Sequence, residues 1–392
     1  MTNIRRQLLL SLGLCLLLAC TPKTEVEASQ SSAPLASPVK MSQAGGFKLS
    51  THTLASGLDT PWELVFLPDG RLLVTERSGQ LRVIQNRHLA AEPLMSAQDF
   101  VPPVREQGEG GLLGLVADPQ FASNGYAYAA YTTEYQGQAV NRLVRLHEDS
   151  AGQWRQQQVL LDVPAGRNHN GGRLAFGPDG KLYWTVGELF EAERAQDLND
   201  LTGKILRLNS DGSIPDDNPF PDSYVYSYGH RNPQGLAWSP DGELYATEHG
   251  PSGEKGCCQD ELNRILKGAN YGWPLISGDE RQAGLQAPLL HSGRTTTWAP
   301  GGLVWLNQGP WQGSLLFTGL RGQALYRVLL DPQTAQVQRL ETYLEGELGR
   351  LRTVLQGPDG QIYILTSNRD GRYSGQVPSQ DDRVLEVRIE AL

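Results

Sequence analysis

The chain has 392 residues, 44 of them glycine, and a formal net charge of −9. That is ample length for a large core, and an acidic, lysine-poor surface argues against nucleic acid as a partner. Abundant glycine with few helix-period patterns suits an all-β protein.

The first element is an address. Arg5 and Arg6 precede the apolar run Leu8 to Leu18, which ends in Leu17-Leu18-Ala19-Cys20. This reads as a signal peptide over residues 1–19, and its end resembles a bacterial lipoprotein cleavage box. Cys20 then becomes a lipidated N-terminus that holds the protein to a membrane. An ordinary secretory signal or a short membrane anchor are the alternatives, and the run is short for a comfortable span. Thr21 beside the cysteine carries no charge, which leans towards the outer membrane, on the periplasmic side of the cell envelope. Residues 20–45, rich in Ser, Ala and Pro, form a flexible tether. Loss of Arg5 and Arg6 makes the mature chain two charges more acidic. Of the four cysteines only the vicinal pair Cys257-Cys258 remains in the folded part. In an oxidising compartment it is either a disulfide or two loop thiols, and no second Cys or His pair has zinc spacing.

From residue 46 the chain repeats a phrase. Leu67-Pro68-Asp69-Gly70-Arg71-Leu72-Leu73-Val74-Thr75 returns at Gly177 to Thr185, Ser239 to Thr247 and Gly357 to Leu365. Each copy is a tight turn feeding a short strand: Pro presets the turn, Asp bonds nearby backbone, and Gly takes the positive φ. The prolines stand at 68, 178, 240 and 358, so the long gaps are about twice the short one. Each long gap therefore hides a degenerate copy, at Asp118-Pro119-Gln120-Phe121 and at Gly309-Pro310-Trp311-Gln312-Gly313. Six such units over residues 46–392 predict one all-β domain, a six-bladed β-propeller.

Polar segments that interrupt the phrase are where chemistry is expected. Gln107-Gly108-Glu109-Gly110-Gly111 permits close backbone approach but lacks the spacing of a dinucleotide loop. Asn168-His169-Asn170-Gly171-Gly172 can present an unhindered imidazole, the usual general base near neutral pH. Gly229-His230-Arg231-Asn232 supplies a fixed cation beside an amide. Glu248-His249-Gly250-Pro251, Asp260-Glu261-Leu262-Asn263 and Asn270-Tyr271-Gly272 offer the carboxylates, amides and bent backbone that a hard cation such as Ca²⁺ takes. Arg321, and Arg350 with Arg352 two residues apart on one strand face, form a potential anion grip.

In this order the segments resemble the PQQ-dependent soluble glucose and aldose sugar dehydrogenases, the glucose/sorbosone dehydrogenase family, from about Leu54 to Val387. Leu201 to Asn209 with Asp211 to Pro215, Gly229 to Gly235, and Glu248 to Pro251 with Asp260 to Pro274 carry the likeness. The resemblance implies oxidation of aldose sugars at the anomeric carbon to lactones, with hydride transfer to calcium-bound PQQ and electrons passed to an external acceptor. It implies His169 as catalytic base and Arg231 in catalysis and cofactor contact. It places Glu109, Asn232, Thr297, Arg321, Arg350 and Arg352 around PQQ. It further implies Gly250 and Pro251 as carbonyl ligands of an active-site calcium, and Glu261 and the Tyr271 carbonyl as ligands of a second, structural one.

Several positions depart from the family pattern. Glu109 stands where relatives usually place glutamine, and a carboxylate beside a tricarboxylate cofactor repels it unless protonated or paired. Asn168 replaces the aspartate of the glucose-specific branch, Leu189 replaces a polar contact, and Glu254 to Gln259 is an insertion. These favour the broad aldose branch. The alternatives are a cofactor-free propeller lipoprotein that binds sugars or cell-wall fragments, which Glu109 supports, and a calcium-dependent lactonase on the same scaffold.

Overall fold

The computed structural model describes residues 41–43, 46–252 and 257–392. The signal peptide, Cys20, most of the tether and residues 254–256 of the insertion lie outside the described residues. The described residues form one compact unit.

Each repeated phrase folds as its residues require. Gly70, Gly180, Gly242 and Gly360 take φ between +71° and +88°. Their N–H groups bond back to the carbonyls of Leu67, Gly177, Ser239 and Gly357 at 2.9–3.0 Å. Asp69, Asp179 and Asp359 each accept the backbone N–H two residues on, at 3.1 Å. The degenerate copies do the same work by other means. Asp118 opens a one-turn helix, Phe121–Asn124, and Gly313 bonds back to Leu306 at 2.9 Å.

The six turns join the first and second strands of six antiparallel sheets. The first strands are Pro61–Phe66, Leu112–Ala117, Leu174–Phe176, Pro233–Trp238, Pro300–Trp305 and Leu351–Gln356, defining blades one to six. Each first strand contacts the next around a closed ring, blade six returning to blade one. The fold is therefore the expected six-bladed β-propeller. Its buried apolar side chains fall into six clusters, one at each interface between neighbouring blades.

Two strands come from near the start of the described chain. Phe47–Ala55 pairs antiparallel with Val384–Ala391 as the outer strand of blade six, Phe47 opposite Ala391. Met41–Gln43, inside the expected tether, pairs in parallel with Leu340–Thr342 of blade five. An outer strand exposes unpaired backbone groups, and this segment covers them.

At the axis the blades are tied by buried polar groups. Arg173 of the blade-three entry pairs with Glu63 of blade one and donates to the Gln234 carbonyl of blade four at 2.8 Å. It also donates to Thr353 Oγ1 of blade six at 3.2 Å and lies over the Trp62 ring at 4.3 Å. Threonines that close the phrase add further ties. Thr75 Oγ1 donates to the Leu113 carbonyl at 2.7 Å, and Thr247 Oγ1 to that of Gly301 at 2.8 Å. Gly301 is required there, since a Cβ would stand 2.2 Å from the Arg352 carbonyl oxygen.

Two stability predictions follow from these buried groups. Glu63→Gln leaves Arg173 charged and uncompensated, and should cost about 3–5 kcal/mol in urea unfolding; a change below ~1 kcal/mol counts against the axial pair. Burial pushes Asp382 up to about 6 despite N–H groups of Asn368 and Arg369 on its carboxylate. Between about pH 4 and 6 the folded state then holds a proton that the unfolded state has released, so this contribution falls as pH rises. Urea midpoints for Asp382→Asn at pH 4, 5 and 6 should show that slope flattened.

Candidate active site

The phrase turns occupy one face of the wheel, so the opposite face is formed by loops entering the first strands and loops leaving the second strands. The segments around Glu109, His169, Arg231, Gly250, Arg321 and Arg350 fall on these loops or at their edges, whereas Glu261 opens the third strand of blade four, Glu261–Ile265, and Asn270 to Gly272 follow it. The loops enclose a cavity of about 850 Å³ lined by Glu109, His169, Arg231, Gly250, Pro251, Thr297, Arg321, Arg350 and Arg352.

His169 takes φ +56°, uncommon for a residue with a side chain. Its backbone N–H donates to Glu109 Oε2 at 2.8 Å. Its Nδ1 faces Glu188 Oε2 at 2.6 Å, and both side chains are buried. Phe190 stacks on the imidazole with centroids 3.9 Å apart. With Nδ1 committed to Glu188, Nε2 is the nitrogen free to exchange a proton with a ligand. Glu188 and Phe190 were missed in the sequence. Glu188 stands two residues past the second strand, Leu182–Val186, where the repeated phrase offers no counterpart to point it out.

The arginines divide into two groups. Arg350 is paired with Asp370 at 2.6 Å, and Arg77 with Glu106 at 3.2 Å. Arg231, Arg321 and Arg352 have no ion-pair partner among the described residues. Arg231 is buried against Phe190 and Trp273, donating to Ser252 Oγ at 3.0 Å. Arg352 donates to Gln234 Oε1 at 2.8 Å. Burial pulls the Arg352 guanidinium down to about 9; Asp370 offsets this in part, and Arg350, Arg77 and Arg173 add to it. A guanidinium keeps its proton in a protein, so this pressure reads as an unmet demand for an anion. The pair expected from Arg350 and Arg352 is thus split, one arginine neutralised and the other not.

Asp260 organises the far wall. It accepts Gly250 N–H at 2.9 Å, Thr297 Oγ1–H at 2.9 Å, and the N–H groups of Trp298 and Ala299 at 2.7 and 2.9 Å. Gly250 itself is wedged so tightly that a Cβ would fall 1.9 Å from the Cys258 carbonyl oxygen. Cys257 and Cys258 are joined as a vicinal disulfide on the cavity wall.

Three expected site residues do not line the cavity. Asn232 is buried beneath it, its Oδ1 accepting the Gly171 N–H and Gln234 Nε2–H at 3.1 Å each. Glu261 and Tyr271 lie behind the blade-four wall. Burial, then the neighbouring Glu248, pushes Glu261 up to about 8, and Asn263 Oδ1 beside it is buried with no partner. Tyr271 spends its hydroxyl on the Arg264 carbonyl at 2.6 Å, which leaves the backbone as its means of holding a cation. Among the described residues no group of three His, Cys, Asp or Glu side chains is arranged to hold a metal.

A closed propeller that sets a buried His–Glu dyad beside arginines without ion-pair partners has the parts of an enzyme site, a proton carrier next to a seat for an anion. Residues 58–374 match the model of the glucose/sorbosone dehydrogenases, and the chain belongs to that family of oxidoreductases. It is 38% identical over 252 residues to aldose sugar dehydrogenase YliI of Escherichia coli, covering 61% of this chain and 66% of that protein. It is 32% identical over 278 residues to quinoprotein glucose dehydrogenase B of Acinetobacter calcoaceticus, covering 63% and 57%. The PQQ-bound aldose sugar dehydrogenase of Streptomyces coelicolor superposes with a TM-score of 0.78 at 38% identity, covering 89% of this chain and all of that one.

If Glu188 fixes the tautomer of His169, Glu188→Gln should lower kcat on the order of 10²-fold with the circular-dichroism spectrum unchanged. A kcat within threefold of wild type would remove Glu188 from the dyad.

Proposed function

We propose that this protein oxidises aldose sugars at the anomeric carbon to lactones, using PQQ and Ca²⁺, and passes the electrons to an external acceptor. One observation carries the reading: a buried His–Glu dyad shares a cavity with three arginines that lack ion-pair partners. Six arginines and three carboxylates line that cavity. The excess of positive charge equals the charge of a tricarboxylate, which supports PQQ as occupant.

Arg231, Arg321 and Arg352 would hold the cofactor, with Thr297 and Arg350 at its edge. Gly250 and Pro251 would offer carbonyls to calcium, on a loop pinned by Asp260. The raised Glu261 carboxyl and the orphaned Asn263 Oδ1 suit a second cation behind the wall. When bound, calcium-activated PQQ supplies the hydride acceptor. His169 Nε2 takes the proton of the anomeric hydroxyl as the hydride leaves the same carbon. Glu188 stabilises the imidazolium that forms, and Phe190 excludes water from one face of it. Arg231, desolvated and unpaired, favours an oxyanion placed against it.

The cofactor-free reading rested on Glu109, and its carboxylate is compensated by Arg372 at 2.5 Å. A lactonase would need a carboxylate constellation where this cavity presents arginines. By the same proposal Cys20 carries lipid and tethers the wheel to the cell envelope.

Reconstitution with PQQ and Ca²⁺ should give a quinone absorption that changes on adding an aldose, with sugar-dependent dye reduction. Silence across a panel of aldoses with no quinone bound would overturn the reading. His169→Ala should lose turnover by a factor of about 10² or more yet keep PQQ affinity within a few fold; near wild-type turnover would place the base elsewhere.

A further inference from the structure

Glu109 remains the anomalous residue, a carboxylate on the wall of a site built for an anion. Its oxygens are both committed. Oε2 accepts the backbone N–H of His169 at 2.8 Å, and Oε1 meets Arg372 Nη1 at 2.5 Å. Arg372 belongs to the blade-six loop between Ile362–Thr366 and Val384–Ala391. It reaches over blade one to Glu109, on the loop entering blade two. Its Nη2 continues to Asn168 Oδ1, on the loop entering blade three, at 2.9 Å.

The origin of the reach is also fixed. Asp370 Oδ1 accepts the Arg372 backbone N–H at 2.9 Å while its Oδ2 pairs with Arg350. Burial alone would push the Glu109 carboxyl up, but Arg372 and the His169 N–H outweigh it and hold it at about 2. Glu109 is thus a carboxylate whose charge must be balanced for an anion to share the cavity.

We propose that Arg372 is a charge-screening strap across the cavity mouth: it neutralises Glu109, so that a carboxylate can position His169 inside a site that binds an anion. Arg372 is then a positioning residue, acting through Glu109 and Asn168 on the loop that carries the base. This inference rests on the PQQ reading for the identity of the anion, but the strap itself is a property of the protein alone.

The test is a double-mutant cycle on PQQ affinity, measured by calorimetry with Ca²⁺ and no sugar. Arg372→Met should weaken PQQ about tenfold, because a bare carboxylate now faces the tricarboxylate. Combined with Glu109→Gln, which removes the matching negative charge, affinity should return to within about threefold of wild type. A double variant as weak as Arg372→Met alone, or no loss in the single variant, overturns the strap. The same cycle on the thermal midpoint of the cofactor-free protein separates the two readings. If wild type fails to bind PQQ, the functional reading fails. Non-additive midpoints for Glu109→Gln and Arg372→Met would still support the strap, and additive ones would refute it.

Discussion

The buried ion pair between Arg173 and Glu63 is the constraint on which the rest of the wheel depends. The apolar clusters of the wheel lie between neighbouring blades, and the six first strands surround an axis that these clusters do not tie together. The axis is instead filled by one guanidinium that reaches blades one, four and six from blade three. Burying two charges is expensive, and this pair is viable because the remaining guanidinium donors and the Trp62 face are also used. The pair also divides the axial channel. Above it lies the arginine-rich cavity, and below it a smaller one of about 350 Å³ bounded by Trp238 and Trp305.

The floor of the upper cavity and the axis form one network. Gln234 gives its carbonyl to Arg173 and its side-chain oxygen to Arg352. Arg352 is thereby fixed in position without being neutralised. The excess of positive charge is thus set in place by the protein itself, Arg352 on a strand and Arg231 and Arg321 on the adjoining loops, an arrangement that suits an anion. On the opposite wall Gly250 and Thr297 donate to Asp260, which imposes similar order on a stretch of backbone with no sequence signature of its own.

The wheel was legible because the phrase repeats: four intact copies and two eroded ones name every first turn. The site face was legible because polar, glycine-rich segments interrupt the phrase at corresponding points. Long-range pairings were not. Nothing local in the sequence marks Glu188 as the partner of His169, or joins Arg372 to Glu109 across a separation of more than 250 residues. Asn232 and Arg350 show the complementary limit. Their residue types suit a ligand, yet the fold turns the first beneath the floor and neutralises the second with Asp370. Whether a polar side chain is free or already spent depends on what the tertiary fold sets against it.

Blade six is assembled from opposite ends of the sequence, with Phe47–Ala55 laid against Val384–Ala391. During synthesis Phe47–Ala55 has no partner until Val384–Ala391 emerges. The outer seam of blade six stays open until that strand is made. Loop closure over so long a separation is slow, and the waiting edges are exposed meanwhile. A chain halted before Val384 would therefore leave the edges of Phe47–Ala55 and Ile362–Thr366 both unpaired and available to other chains.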